Sequence, residues 1–158
     1  VTKLSELSNA INSAFQYSDQ VIVEKAVKPR ELEVAAFEDQ GDIHVTLPGE
    51  VIAPDNAFYT YEEKYSSDSH SVTKVQAENL SQEQLDLIRH CSKKVFSHMK
   101  LRHLSRIDFF LTSEGEVYLN EVNTFPGMTP ISMFPKMVEH SGIAFNEFLR
   151  DCIERTRT

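Results

Sequence analysis

The sequence predicts an α+β fold in which helices flank a mostly antiparallel sheet, and three observations support this prediction. Apolar residues recur at helical spacing in several separate stretches. Short runs with strand-like patterns lie between these stretches, and Gly-containing turns such as Pro126-Gly127 separate them. Helices and strands do not alternate regularly, so we do not expect the parallel sheet that repeated βαβ units would form.

The helices are predicted from apolar side chains that return every three or four residues. Three of them have an apolar face made of Leu7, Ile11, Ala14 and Phe15; of Leu85, Ile88, Cys91, Val95 and Met99; and of Phe145, Phe148, Leu149, Cys152 and Ile153. The second of these helices starts at a capping box formed by Ser81 and Gln84. A shorter helix is predicted to start near Ser132, with Pro135 in its first turn, and to end before Gly142.

The strands are predicted from continuous or alternating apolar runs. We expect a buried strand at residues 21–25, a half-exposed strand at 30–34, a third near 43–45, and a pair at 106–111 and 116–122. The segment from residue 48 to about 70 is predicted to be a long loop, and loops of this length often cover a binding site.

Charge and cysteine content exclude some classes of function. The formal charge of −8 argues against a nucleic-acid-binding surface, which would need clustered Lys and Arg. No apolar run is long enough to cross a bilayer, and the first residues lack the features of a signal peptide. Cys91 and Cys152 lie at apolar helix positions without CxxC spacing, so we expect reduced core thiols and a cytoplasmic protein.

The paired strands at 106–111 and 117–123 carry an unusual set of polar residues. If the hairpin turns through two central residues, Glu114 and Gly115, Asp108 lies opposite Glu121 and Arg106 lies opposite Asn123. Side chains alternate between the faces of a strand, so these four polar groups share one face. A four-residue loop would shift the register and separate the carboxylates. The same register places Phe110 and Leu119 on the polar face, and Ile107, Phe109, Leu111, Tyr118 and Val122 on the opposite, core-facing side.

Two carboxylates directly opposite each other destabilise a strand pair unless a cation lies between them. Arg106 supplies one such cation, and in one interpretation this is a surface hairpin that Arg106 bridges. In the other interpretation a divalent metal binds there. Asp108, Glu121 and Asn123 offer only hard oxygen ligands, which favour Mg²⁺ over zinc or copper. Residue types alone leave both interpretations open.

The residues after this hairpin lead directly into a predicted helix N-terminus. Backbone N–H groups there attract anions, and Ser132 adds a hydroxyl donor. Gly127 allows a ligand to approach the backbone closely. The alternative is that Ser132 is an ordinary helix cap and Gly127 an ordinary turn residue.

Taken together, the segments RIDFFL at 106–111 and YLNEVNTFPGMTPISM at 118–133 closely resemble the C-terminal signature of D-alanine–D-alanine ligases of the ATP-grasp superfamily. Upstream, VEK at 23–25 with Arg30 and Glu31 is similar to the family's adenine- and ribose-binding hairpin. The segment FYTYEEKY at 58–65 is similar to its active-site lid. The resemblance covers residues 1–158 in order, as one ATP-grasp region, and it implies the C-terminal part of a longer enzyme. The missing initiator Met agrees with that expectation.

The resemblance implies a role for each matching residue. Glu24, Lys25 and Val27 would contact adenine, and Glu31 would bind the ribose hydroxyls. The two Mg²⁺ ions (or Mn²⁺) that bridge the ATP phosphates would be held by Asp108, Glu121 and Asn123. Lys64 would reach the transferred phosphate, and Arg106 and the Gly127 N–H would stabilise oxyanions. Ser132 and the Met133 backbone would bind the carboxylate of the second D-alanine. Tyr65 would favour D-alanine over D-lactate as that substrate.

The implied function is ATP-dependent ligation of two D-alanines through an acyl phosphate, for peptidoglycan precursor synthesis, cell wall biogenesis and cell shape. The expected partners are D-alanine, ATP and the preceding part of the ligase, in a full-length homodimer. Because the glycines are scattered, no Gly-rich phosphate loop is present, and we expect the chain alone to be inactive in ligation. Two alternatives remain: an ATP-grasp ligase for another carboxylate–amine pair or for D-lactate, and a non-catalytic nucleotide-binding module.

Overall fold

The computed structural model describes residues 1–52 and 72–156, and in this part of the chain strands and helices build an α+β fold, as predicted. The strands are β1 (Arg30–Asp39), β2 (Asp42–Val45), β3 (Gly49–Ile52), β4 (Val72–Lys74), β5 (Leu104–Leu111) and β6 (Val117–Asn123). The α-helices are α1 (Leu7–Ala14), α2 (Gln82–His98), α3 (Met133–His140) and α4 (Phe145–Arg155), and a 3-10 turn (Leu4–Glu6) precedes α1. The predicted loop from residue 48 therefore contains β3 at its start, while its central part lies outside the described residues.

All the strand pairs among these residues are antiparallel, which confirms the predicted sheet type. The strand order is β4-β3-β1-β5-β6, and β2 pairs with the far end of β1. The first strand is longer and more deeply buried than the half-exposed strand predicted at 30–34, because residues 32–37 are all buried. An apolar cluster covers one face of the strand along its length, and a second cluster covers the other face from Ala35 onward.

Two apolar clusters cover the two faces of the sheet. On one face, α2 packs Ile88 and Phe96 against β1 and β5, whose contributions include Val34, Ile107 and Phe109. On the other face, α3 and α4 cover only one end of the sheet, with a cluster that consists of Ala35, Phe37, Met133, Phe134, Met137, Val138, Phe148 and Cys152. The remainder of this second face carries the polar side chains described below.

The N-terminal region differs from the prediction. The helix α1 is present, but none of its residues is buried. Residues 21–25 form no strand, and Ile22 and Val23 are 81% and 67% exposed, so the prediction of a buried strand there was wrong. A strand needs a neighbour for its backbone groups, and no described strand pairs with this segment. Instead, residues 21–24 and α1 line a cavity of about 460 Å³ between them.

The predicted start of α2 is confirmed by its capping residues. The Ser81 hydroxyl accepts a hydrogen bond from the Gln84 N–H, and the Gln84 side chain accepts one from the Ser81 N–H, so the predicted capping box is complete. Cys91 and Cys152 are both free thiols, as predicted, and burial raises the pKa of Cys152. None of the helices in the described part of the chain combines the length and the apolar content needed to span a membrane.

Candidate nucleotide and metal site

The open part of the second sheet face carries three rows of side chains across β1, β5 and β6. The register places Glu31 beside Phe110 and Glu33 beside Asp108 on the first two strands. On β6, the partners of Phe110, Asp108 and Arg106 are Tyr118, Glu121 and Asn123. Neighbouring rows are two residues apart along a strand, or about 7 Å. One face therefore presents three rows of side chains. The aromatic row is Glu31, Phe110 and Tyr118, the carboxylate row is Glu33, Asp108 and Glu121, and the third row contains Arg106 and Asn123.

The predicted pairing of Asp108 with Glu121, and of Arg106 with Asn123, is confirmed. The predicted two-residue turn is wrong, because the Thr112 N–H donates to the Glu116 carbonyl and leaves three residues in the loop. The register shifts back between Asp108 and Phe109, where Asn120 has no partner in the ladder. This β-bulge compensates for the longer loop, since a bulge adds one residue to one strand.

The bulge also corrects the face assigned to Tyr118. This residue was expected on the core side, but it pairs with Phe110 and is 42% exposed. Its hydroxyl donates to Glu116, a contact that raises the pKa of Tyr118. Of the other core-side residues, Ile107, Phe109 and Leu111 are buried as predicted, and Val122 is partly buried against the same cluster.

One guanidinium lies among three carboxylates in this site. The Nε and Nη2 atoms of Arg106 donate to Asp108 Oδ1 and Oδ2 at 2.8 and 2.7 Å. Nη2 lies 3.4 Å from Glu121 Oε1, and Nε lies 3.5 Å from Glu33 Oε1. Burial lowers the pKa of Arg106, but the hydrogen bonds to Asp108 and the three negative charges outweigh it and raise that pKa well above its usual value. Arg106 is therefore charged at every pH at which the protein is folded.

The oxygen atoms of this row suit a hard divalent cation. Asp108 is buried, Glu121 is exposed, and both contact the same guanidinium, so a cation already lies between them. In residues 1–52 and 72–156, no three acidic, His or Cys side chains are grouped closely enough to hold a metal by themselves. The donors fit Mg²⁺, which is usually bound by one or two carboxylates, with water and substrate phosphates completing its coordination. The predicted third ligand, Asn123, uses its Oδ1 atom to accept a hydrogen bond from the Phe125 N–H.

A cavity of about 340 Å³ lies beside the aromatic row. The residues predicted to bind adenine and ribose all line it: Glu24, Lys25, Val27 and Glu31. Phe110, Tyr118 and Leu119 form its apolar side. The structure thus brings four separately predicted residues to one cavity, next to the row of carboxylates.

The loop after β6 places Gly127 close to the start of α3. A Cβ atom on Gly127 would lie 2.7 Å from Ser132 Oγ, so only glycine fits here without a shift. Ser132 occupies the N-cap position of α3 but makes no side-chain cap bond. Its hydroxyl is instead 2.8 Å from Thr129 Oγ1. Ser132 is therefore not an ordinary cap, and the N–H groups at the start of α3 are not used by its side chain.

Lys64 and Tyr65 lie outside the described residues, so their predicted roles stay predictions. Sequence reasoning missed Glu33 and Thr129. A signal for Glu33 was available, because it is the one charged residue in the apolar run from residue 32 to 37. Thr129 carried no such signal, since a threonine in a loop is common.

The comparisons with known proteins agree with this geometry. Residues 1–154 match the family described as "D-ala D-ala ligase C-terminus". A D-alanine–D-alanine ligase from Vibrio vulnificus (strain CMCP6) is 68% identical over 156 residues. The crystal structure of D-alanyl-alanine synthetase A from Vibrio cholerae has a TM-score of 0.89 and 61% identity, and covers 99% of this chain and 47% of its own. The VanG D-Ala:D-Ser ligase from Enterococcus faecalis has a TM-score of 0.80 and 30% identity, and the match covers 96% of this chain and 43% of that protein.

The chain spans about half the length of the curated relatives that it matches, with 99% of the chain aligned to 47% of the V. vulnificus ligase. The family match nevertheless extends over nearly all of its residues, including every row of the site. The chain therefore belongs to the family of the D-alanine–D-alanine ligase C-terminus, within the ATP-grasp fold.

Proposed function

We propose that this chain is the nucleotide- and magnesium-binding part of an ATP-dependent D-alanine–D-alanine ligase. The observation that carries the proposal is the arrangement of Asp108, Glu121 and Arg106 beside the cavity lined by Glu24 and Glu31. A purely structural hairpin would explain the ion pairs. It would not explain why a cavity of nucleotide size adjoins them.

The rows give the direction in which ATP would lie. The adenine would occupy the cavity, with Glu24, Lys25 and Val27 at its edge and Phe110 on its apolar side. Glu31, which lies beside Phe110, would accept the ribose hydroxyl groups. One row further along, about 7 Å away, the phosphates would reach Asp108. This order matches the order base, ribose, phosphate in ATP itself.

Magnesium, when bound, would neutralise the phosphate oxygens and hold them in line for transfer. Asp108, Glu121 and Asn123 are the proposed ligands, and in this site they need phosphates or water to complete the coordination. Arg106 would stabilise negative charge on the reacting phosphate or acyl oxygen, together with the N–H of Gly127. Lys64 and Tyr65 are proposed to act from the segment that precedes β4.

The proposed reaction solves a chemical problem of the substrate. A carboxylate is a poor acyl donor, so the carboxylate of the first D-alanine would attack the γ-phosphorus of ATP, which would release ADP and form an acyl phosphate. The amine of the second D-alanine would then attack the acyl carbon, and phosphate would leave. Ser132 and the Met133 N–H at the start of α3 would hold the carboxylate of this second substrate. The product would serve peptidoglycan synthesis in the cytoplasm, and we propose that the full-length enzyme is a homodimer.

The first prediction tests the metal and nucleotide site in the full chain. Glu121→Gln should weaken Mn²⁺-dependent binding of a non-hydrolysable ATP analogue roughly tenfold or more, because it removes a metal ligand. Titration calorimetry with and without Mn²⁺ measures this effect. Glu139→Gln, an exposed carboxylate on α3, is the matched control and should bind like the wild type. Equal, metal-independent binding by all three proteins would show that the site does not hold a metal–nucleotide complex.

Ligation itself is tested by joining the chain to the part of the V. vulnificus ligase that it does not match. We expect D-alanine-dependent phosphate release and a dipeptide product from the joined protein, and neither from the chain alone. Offering D-alanine, D-serine and D-lactate in competition distinguishes the second substrate, since the VanG ligase shares this fold and is named for D-serine. Nucleotide binding without any product would favour a non-catalytic module.

A further inference from the structure

Glu33 is a buried carboxylate in the middle of the central strand, and no role has yet been assigned to it. Only 6% of its surface is exposed, and its neighbours Leu32 and Val34 are fully buried. A carboxylate in such a position is costly unless a cation accompanies it. Arg106 is a cation in such a position, and its Nε atom lies 3.5 Å from Glu33 Oε1.

The hydrogen bonds from Arg106 to Asp108 use the same oxygen atoms that the proposed metal ion would need. Arg106 occupies both oxygens of Asp108, through hydrogen bonds of 2.8 and 2.7 Å. A metal ligand must turn the same oxygens towards the cation at about 2.0–2.1 Å. Two cations on one carboxylate repel each other, so a metal ion bound to Asp108 would weaken the hold of Arg106 on the same oxygens.

Glu33 lies where it can receive the guanidinium. It faces Asp108 in the β1–β5 register and approaches Arg106 from the Nε side. The contact has to shorten by only about 0.3–0.8 Å to become an ordinary N–H···O hydrogen bond. Glu121 contacts the same group at Nη2 and is a proposed metal ligand, so Glu33 is the one of the three carboxylates around Arg106 that is not proposed as a ligand.

We propose that Glu33 is a positioning residue that takes over Arg106 when Asp108 and Glu121 turn to the metal. The inference rests on the proposed metal-binding function of this site. By holding the guanidinium, Glu33 frees Asp108 for coordination and keeps Arg106 beside the reacting oxygens. In this role Glu33 holds Arg106 and is not itself a metal ligand, in keeping with its burial and its contact with the guanidinium.

The test is a double-mutant cycle on Mn²⁺ affinity in the full chain, measured by electron paramagnetic resonance. Glu33→Gln should weaken Mn²⁺ binding roughly tenfold, which is the range found when a residue that orients a metal ligand is mutated. In an Arg106→Gln background the same change should have less than a threefold effect, because no guanidinium remains to be taken over. A tenfold effect in both backgrounds would overturn the proposal and show that Glu33 acts on the metal directly.

Glu50→Gln is the matched control. Glu50 is also a buried carboxylate that holds an arginine, with Arg30 Nε and Nη2 at 2.7 and 2.8 Å, but on β3 away from the metal row. It should leave Mn²⁺ affinity within twofold of wild type. A tenfold loss there would mean that loss of any buried ion pair disturbs the site, which would also overturn the proposal.

A second measurement needs no Arg106 variant and covers the case in which that variant does not fold. In ¹⁵N spectra, the Arg106 Nε–H should stay protected from solvent exchange after Mg²⁺ is added to the wild-type chain. In Glu33→Gln the protection should fall at least tenfold on addition of Mg²⁺. Unchanged protection in Glu33→Gln overturns the positioning role alone. If Mg²⁺ leaves the resonances of Asp108 and Glu121 unchanged in the wild type, the proposed metal site fails and the positioning role fails with it.

Discussion

At the residue scale, the hydroxyl groups of Thr129 and Ser132 form a pair that leaves the start of α3 open. The two oxygens are 2.8 Å apart, and neither side chain caps the helix. Helix N-termini carry N–H groups without partners inside the helix, and they attract carboxylates. Gly127 lies next to Ser132, and because it has no side chain the space beside the Ser132 hydroxyl stays free.

Gly127→Ala should therefore impair binding of the second substrate more than binding of ATP. The new Cβ would lie 2.7 Å from Ser132 Oγ and would push that hydroxyl away from its present position. Loss of one hydrogen bond to a charged group costs about 1.5 kcal/mol, so the KM for D-alanine should rise about tenfold. Steady-state kinetics of the joined, full-length protein measure this. Thr124→Ala, an exposed change in the same loop, is the control. Equal losses of ATP and D-alanine affinity would contradict the expectation.

Single residues were predictable where their chemistry is unusual for their position. Asp108 and Glu121 are acidic residues at paired positions of two neighbouring strands, and this pairing implied a cation between them. Tyr118 could not be placed correctly, because its face depends on a bulge two residues away. Glu33 is noticeable as a charge in an apolar run, but its contact with Arg106 depends on the pairing of β1 with β5. Contacts between strands distant in sequence are not visible in the pattern of either strand.

At the element scale, the β5–β6 hairpin shows how a register can be right while its derivation is wrong. The loop is one residue longer than predicted, and β6 carries one extra residue at Asn120. Without the bulge, the three-residue loop would pair Asp108 with Asn120. Glu121 would then pair with Ile107 and point into the core, because a shift of one residue moves a side chain to the other face. The bulge is thus the feature that brings both carboxylates to one face.

Burial was harder to predict than the existence of the elements. Residues 30–34 alternate like a half-exposed strand, yet β1 is deeply buried because it has a strand on each side and apolar clusters over one face and over the end of the other. Residues 21–25 have the composition of a buried strand, but among the described residues no strand pairs with them. In both cases the neighbours decided the outcome, and strand propensity depends on neighbours more than helix propensity does.

The capping box at the start of α2 allows a prediction for this element. Ser81→Ala removes the acceptor for the Gln84 N–H and should lower the free energy of unfolding by about 1 kcal/mol. Ser97→Ala, an exposed change inside the same helix, should have no destabilising effect, since alanine has the higher helix propensity. Urea unfolding of both variants, followed by circular dichroism, gives the comparison. A loss no larger for Ser81→Ala than for Ser97→Ala would show that the capping box does not stabilise the fold.

At the scale of the whole molecule, burial is distributed unevenly along the chain. The buried residues of the two apolar clusters belong to β1, β5, α2, α3 and α4 or to the loops beside them. No residue of α1 is buried, and Leu4, Tyr17 and Ile22 around it are more than four-fifths exposed. The cavity of about 340 Å³ joins these two parts, because Glu24 and Lys25 come from the exposed segment and Phe110 and Leu119 come from the sheet.

Native-state hydrogen exchange should therefore separate the chain into two levels of stability. Amides of β1 and β5 are held within the core and should exchange only through global unfolding, whereas α1 lacks buried contacts and should open locally. We expect protection factors in α1 to be at least roughly 100-fold lower than those in β1. The comparison with α2 is the internal control, since that helix has Ile88, Ser92 and Phe96 in the core. If α1 amides exchanged as slowly as those of α2, the two regions would form one cooperative unit. A metal–ATP complex that engages Glu24 and Lys25 should raise protection near these residues more than in β1, because binding stabilises the part that opens most readily.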